Sequence, residues 1–142
     1  MAALYTAHAT TIGGRNGHTE TDDKNISLDL STPGGNKPGS NPEQLFACGY
    51  SACFGGAVEF AAKQQKVDIG GAANVKADVT LHKDDTGFSI SVILNVALPN
   101  VSQPQAEELV QLAHTICPYS KATRGNIDVK LQANGQSLAK AA

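Results

Sequence analysis

Between residues 72 and 99 apolar and polar side chains alternate with a period of two, the spacing that turns one face of a strand inward. Val75, Ala77, Val79 and Leu81 alternate with Asn74, Lys76, Asp78 and Thr80. After Asp-Asp-Thr-Gly at 84–87 the pattern resumes with Phe88, Ile90, Val92, Leu94, Val96 and Leu98. Together these runs predict a long antiparallel hairpin at the centre of a sheet. Residues 3–12 and 25–31 read as two more strands, expected to pair, with Ile26, Leu28 and Leu30 on one face of the second. A short strand is also expected over 17–23, and Ile127, Val129 and Leu131 predict a last one.

Two further stretches keep helical spacing. Asn41 can cap a helix, Pro42 suits its first position, and Gln44 stands where the reciprocal partner of a capping box belongs. Within 41–65, Leu45, Gly49, Ala52 or Cys53, Gly56 and Phe60 recur every three or four residues. That gives one apolar face with small residues at its middle, where another backbone can come close. The second helix follows Ser102 as cap, carries Glu107 and Glu108 in its early turns, and presents Ala106, Leu109, Val110, Ala113 and Ile116 on one side. Pro118, directly after Cys117, is expected to end it. The order β-β-β-α-β-β-α-β is an α+β fold with helices on one face of antiparallel strands.

At 142 residues, 41% of them hydrophobic, a single domain over 1–142 with a modest core is expected. Eleven basic and thirteen acidic residues leave a net charge of −2 without runs of like charge, so neither a nucleic-acid nor an anionic-membrane surface is indicated. Small or neutral partners fit better. No basic stretch followed by an apolar core opens the chain, and no window is judged to approach the roughly 20 apolar residues of a membrane span, so a cytoplasmic location is expected. The Pro/Gly-rich segment 31–40 reads as a loop.

Three cysteines, an odd number without a secretion signal, are not a secreted disulfide framework, so thiol chemistry or packing must account for them. Cys53 and Cys117 fall one on each helix and would meet if both helices packed on one sheet face; a disulfide needs Cα atoms within about 7 Å. The alternative is that both are small buried hydrophobes. Cys48 lies about 140° around the helix from Cys53 at 100° per residue, which argues against a zinc cluster of the three with His114. Cys48 is read as core packing, and His114 as a surface or hydrogen-bonded histidine.

A thiol in an apolar pocket resists ionisation and needs a cation beside it to be reactive. Arg15, held in the glycine-rich turn 13–18, is the candidate, with Glu43 as its carboxylate partner. Against this, Arg15 can be a solvated loop residue and Glu43 a complement to the helix dipole. On a continuous helix Glu43 and Cys53 stand roughly 15 Å apart, so a common site requires a kink near Gly49 or a contribution from a partner chain.

The motifs NPEQLFACGYSACF at 41–54, CPYSKATRGNIDV at 117–129 and GGRNGH at 13–18 resemble the organic hydroperoxide resistance branch of the OsmC/Ohr family over nearly the whole chain. The resemblance implies an OsmC-like fold in an intertwined homodimer, with antiparallel sheets around long central helices and two active sites at the subunit interface. It implies a peroxidase of organic hydroperoxides with Cys53 as peroxidatic cysteine, Cys117 as resolving cysteine, and Arg15 with Glu43 activating the thiolate. No metal or organic cofactor is implied as bound; the reductant implied is the dihydrolipoyl group of lipoylated proteins. Two rivals from other classes are a redox sensor or binding module without turnover, and a cysteine hydrolase, which would need a histidine base that no residue near Cys53 in sequence supplies.

Overall fold

The computed structural model describes residues 1–139. The chain divides into two compact units, Met1–Leu45 and the part from Phe46 onward. The first holds a three-stranded antiparallel sheet of β1 (Ala9–Ile12), β2 (His18–Thr21) and β3 (Ser27–Asp29), in that order. β2 therefore stands between the two strands expected to pair with each other: Ile12 faces His18, and His18 in turn faces Asp29. The expected strand over 3–12 is reduced to its last four residues, with the His8 carbonyl accepting one further bond, from the Asp22 N–H. Almost nothing in this unit is buried except Leu30 and Ser31, while Leu4, Tyr5 and Ile12 are exposed.

Helix α1 (Pro42–Gln64) starts in the first unit and continues into the second. Its start is the reciprocal cap that the sequence predicts: Asn41 Oδ1 accepts from the Gln44 N–H at 2.9 Å, and Gln44 Oε1 accepts from the Asn41 N–H at 3.2 Å. The helix runs through Gly49 without interruption, so the kink expected there is not a break. By length and apolar content α1 is also long enough to cross a bilayer, contrary to the expectation that no window approaches such a span. Leu45, Phe46, Phe54, Val58 and Phe60, together with many Ala, Gly and Cys residues, give it that apolar content.

In the second unit, β4 (Asn74–Asp84) and β5 (Gly87–Ala97) form the expected hairpin, in register from Asn74 opposite Ala97 to Asp84 opposite Gly87. The four-stranded sheet has the order β4-β5-β6-β7, with β6 at Val129–Ala133 and β7 at Gln136–Ser137. Two expectations change here. β4 is at the edge rather than the centre, and β6 joins β5 in parallel, so the sheet is mixed rather than antiparallel. The cause is the connection: α2 (Gln103–Ile116) and α3 (Pro118–Thr123) carry the chain back across the sheet before β6 begins, and such a crossover returns a strand parallel to the one it left.

The apolar core packs Val92, Leu94, Val96 and Leu98 of the β5 region with Leu131 and Ala133 of β6, against Ala106, Leu109, Val110 and Ala113 of α2. These are the α2 positions the sequence predicts, and Ser102 caps that helix by accepting from the Gln105 N–H. On α1 the buried stripe is Tyr50, Phe54, Ala57, Val58, Ala61 and Ala62. The expected face is not the core face: Ala52, Gly56 and Phe60 are exposed and Leu45, Gly49 and Cys53 are half-buried. The two aromatic rings, each burying far more area than a glycine or alanine, decide which side of the helix turns inward.

Candidate active site

Arg15 sits in a single 3-10 turn, Gly14–Asn16, between β1 and β2. Gly17 closes it, and no other residue fits, because a Cβ there would lie 1.7 Å from the Ile12 carbonyl oxygen. Beside Arg15, the Asn16 carbonyl accepts from Lys37 Nζ at 3.0 Å and Asn16 Oδ1 from the Thr32 hydroxyl at 3.0 Å. Both donors come from the 31–40 loop, itself closed by the Ser31 N–H on the Ser40 carbonyl. The loop therefore grips the turn that carries Arg15, a role that no sequence pattern had suggested for it.

The Arg15 guanidinium meets Glu43, in the first turn of α1, through two bonds: Nη1 to Oε2 at 3.0 Å and Nη2 to Oε1 at 2.6 Å. This fork-on-fork geometry fixes the plane of both groups. The Arg15 side chain stays 45% exposed while that of Glu43 is 13% exposed, so one end of the pair remains open to a third group. The hydrogen bonds from Arg15 hold the Glu43 carboxyl below its ordinary range, and Glu43 reinforces the positive charge of Arg15.

In the second unit the Sγ atoms of Cys53 and Cys117 stand 3.2 Å apart, in S–H···S contact and beyond the roughly 2.05 Å of a covalent S–S bond. Cys117 is fully buried and Cys53 half-buried. Cys117 occupies the corner between two helices: its N–H bonds the Ala113 carbonyl to close α2, and its carbonyl accepts from Lys121 in α3. Pro118 thus ends α2 as expected, and it also opens α3 as the first residue, a second role proline commonly takes. Burial pushes the Cys53 thiol up; the Tyr119 N–H directed at the sulfur pulls the other way, and the adjacent Cys117 pushes it up again. The thiol pair by itself therefore favours the protonated form of Cys53.

Tyr119 reaches α1 in a second way. Its ring lies over Gly49, where a Cβ would stand 2.6 Å from the Tyr119 Oη and 3.1 Å from ring carbons. Phe46 and Tyr50 pack against the same ring, with centroids 6.1 and 5.7 Å away. Gly49, read from the sequence as a point of close backbone approach, in fact admits an aromatic side chain. Cys48 is exposed and not core packing, because it lies about 160° around α1 from the buried Tyr50. His114 is buried rather than on the surface, and Nδ1 is hydrogen-bonded to Ser120 Oγ.

The four residues singled out from the sequence are thus brought together two by two, Arg15 with Glu43 in the first unit and Cys53 with Cys117 in the second. The second unit is that of a dithiol α+β protein whose two sulfurs lie at the junction of a long helix and a helix corner. Residues 34–132 match the family model described as OsmC-like protein. The chain is 50% identical over 135 residues to the organic hydroperoxide resistance protein OhrB of Bacillus subtilis, covering 92% of this chain and 98% of that one. It is 47% identical over 132 residues to the organic hydroperoxide resistance protein of Xanthomonas axonopodis pv. citri, covering 90% and 93%. The crystal structure of the Bacillus subtilis protein superposes with a TM-score of 0.86 over 92% of this chain and 99% of that one. The chain belongs to the OsmC/Ohr family, on its organic hydroperoxide resistance branch.

Proposed function

We propose that this protein is a thiol peroxidase that reduces organic hydroperoxides to alcohols, with Cys53 as the attacking thiol and Cys117 as the thiol that resolves it. The observation that carries the reading is the 3.2 Å approach of a half-buried sulfur to a buried one, within reach of direct disulfide formation. In the first step the Cys53 thiolate attacks the distal peroxide oxygen, the O–O bond breaks, and the alkoxide takes a proton to leave as the alcohol. Cys53 becomes a sulfenic acid, oxidised by two electrons. In the second, the Cys117 sulfur displaces the hydroxyl, which leaves as water with the Cys117 proton. A dithiol then reduces the disulfide by exchange, its own two sulfurs becoming a disulfide.

Since the thiol pair disfavours the Cys53 thiolate, the reaction calls for a cation, and Arg15 is proposed to supply it with Glu43 setting its plane. The same subunit or its partner in a homodimer would provide the pair. The proposed assembly is an intertwined homodimer, and the scant burial within the first unit, with Leu4, Tyr5 and Ile12 exposed, supports a partner covering it. Phe46 and Tyr119 supply apolar surface suited to an alkyl or acyl tail. The proposed reductant is a dihydrolipoyl group on lipoylated protein, with no bound metal or organic cofactor, no nucleic-acid or membrane partner, and a cytoplasmic location.

The test is peroxide consumption with dihydrolipoamide as reductant. An alkyl hydroperoxide should be consumed faster than hydrogen peroxide, and Cys53→Ser should reduce consumption to the uncatalysed level. Cys117→Ser should complete one oxidation, form no intramolecular disulfide and accumulate overoxidised Cys53. Equal or faster turnover of hydrogen peroxide would remove the substrate assignment, and full activity in Cys53→Ser would remove the mechanism.

A further inference from the structure

Beneath Cys117 lies a buried polar cluster that the peroxide chemistry does not use. Ser120 Oγ lies 2.9 Å from the Tyr50 Oη and 2.9 Å from His114 Nδ1, and the Tyr50 Oη lies 3.1 Å from Thr123 Oγ1. The Thr123 hydroxyl in turn donates to the Ser120 carbonyl at 3.2 Å. Tyr50 and Ser120 are completely buried, and His114 and Thr123 nearly so. Hydrogen bonds in such a setting are costly to leave unmade, so how the protons are shared among these contacts matters.

Each hydroxyl has one proton to give. The Thr123 proton goes to the Ser120 carbonyl, so Thr123 Oγ1 must accept from Tyr50. Tyr50, having given its proton, accepts from Ser120, and Ser120 accepts from His114. This is the one allocation that places a proton in all four contacts. It requires His114 to carry a proton on Nδ1, which in a neutral ring leaves Nε2 without one; His114 also lines a cavity of about 930 Å³ with Arg124, Asn126 and Asp128. Burial, and secondarily the charge of Arg124, lowers the pKa of His114, in keeping with a neutral ring.

The cluster spans three helices. His114 is in the last turn of α2 and Ser120 in α3, so their bond braces the corner at whose apex Cys117 sits. Tyr50 lies three residues before Cys53, on the adjoining turn of α1, so its bond to Ser120 ties that corner to the helix that carries the other sulfur. We propose that Tyr50, Ser120 and His114 are positioning residues for the resolving step, a one-way hydrogen-bonded chain that holds the Cys117 sulfur in line with Cys53. The inference rests on the peroxidase reading for its place in the cycle, though not for its geometry.

The consequence is a division between the two steps. Attack of Cys53 on peroxide uses none of the cluster's own hydrogen bonds, the corner's contribution there being the Tyr119 N–H at the Cys53 sulfur, whereas closure of the disulfide depends on them. Tyr50→Phe and Ser120→Ala, each followed through a single oxidation by an alkyl hydroperoxide, should form the sulfenic acid at a rate within about twofold of the parent. They should then close the disulfide roughly tenfold more slowly, as expected for loss of a buried hydrogen bond, with more overoxidised Cys53. His114→Asn, which keeps a donor near the position of Nδ1, should close it faster than His114→Leu. Nitrogen-15 NMR of the unmutated reduced protein should find the His114 proton on Nδ1, a reading that requires no variant to fold.

Parent-like closure in both Tyr50→Phe and Ser120→Ala, equal slowing of both steps, or a proton found on Nε2 would each overturn the proposal. If the parent protein does not react with hydroperoxides, the functional reading fails and the positioning role is tested by diamide oxidation, where the same variants should still close the Cys53–Cys117 bond more slowly. Equal closure with diamide in parent and variants would overturn the positioning role on its own.

Discussion

The sulfur pair and the guanidinium–carboxylate pair are held in place by opposite means. Cys117 is fixed by burial at a helix corner packed against Tyr50, Phe54 and the sheet, so that its position follows from the core. Arg15 and Glu43 belong to a unit with almost no core, and the pair is oriented by polar contacts: two ionic hydrogen bonds, a turn that only glycine can close, and the grip of Thr32 and Lys37 on Asn16. At the thiol pair, packing holds Cys117 in place, and burial pushes the neighbouring Cys53 thiol toward its protonated form. A polar scaffold keeps a cation ionised and reachable, yet contributes little to holding the fold together. A peroxidase built from both would draw position from one and charge from the other.

The sharpest way to break this comparison is to remove bulk from one side and charge from the other. Phe54→Ala should lower unfolding stability by about 3–5 kcal/mol, measured by denaturant unfolding at fixed protein concentration. Arg15→Ala should leave the unfolding midpoint close to the parent's, since exposed ion pairs contribute little. A large midpoint shift for Arg15→Ala would show that the polar scaffold carries structural weight after all. Next in size is Arg15→Lys, which keeps the charge and loses the planar fork. It should lower kcat/KM for an alkyl hydroperoxide by roughly a hundredfold, the usual penalty for a misaligned electrostatic donor, with the unfolding midpoint unchanged. Parent-like turnover would mean that charge alone suffices.

Much of this division could be seen in the sequence. The Asn41 and Ser102 caps, the β4–β5 hairpin and the α2 face were legible because each rests on local chemistry or on a period carried by large side chains. On α1 the core face was misplaced because nearly every position from Leu45 to Ala62 is apolar or small, so several stripes fit the same period. Choosing Tyr50 and Phe54 over Gly49 and Gly56 required weighing area as well as polarity. Alternation at Ile127, Val129 and Leu131 shows a strand and not its direction; the parallel pairing of β6 comes from the crossover through α2 and α3. Asn134–Gly135, with positive φ at both residues, was a readable hairpin signal for β7. The meeting of Cys53 and Cys117 depends on how α1 packs against the α2–α3 corner, which no spacing of 64 residues encodes. Arg15 and Glu43 were legible as complementary charges, whereas the loop that aims Arg15 was not.

A smaller effect tests the seam where an aromatic ring meets the thiol helix. In Gly49→Ala the new methyl would meet the Tyr119 ring and force it aside, at a cost of about 1–3 kcal/mol in unfolding stability. Because the Tyr119 N–H is directed at the Cys53 sulfur, displacement should also raise the Cys53 thiol pKa, measurable by thiolate absorbance. An unchanged pKa with lowered stability would separate the ring's packing from its backbone contact.

The smallest effect concerns the carboxylate, and its sign follows from the direction of the shift. Glu43 ionises below the ordinary carboxylate value of about 4.3 because Arg15 hydrogen-bonds its charged form, whereas an unfolded chain titrates near that ordinary value. The contribution of the pair to stability is therefore complete above the unfolded value and fades as pH falls through the lower folded one. Carboxyl NMR should show the Glu43 midpoint below the ordinary range in the parent and moving up toward it in Arg15→Ala. Raising the salt concentration should shrink the difference only slightly, because direct hydrogen bonds rather than distant charge produce it. A Glu43 midpoint indifferent to Arg15 would mean that the fork is not maintained in solution, and the polar half of the comparison would lose the feature that aims its cation.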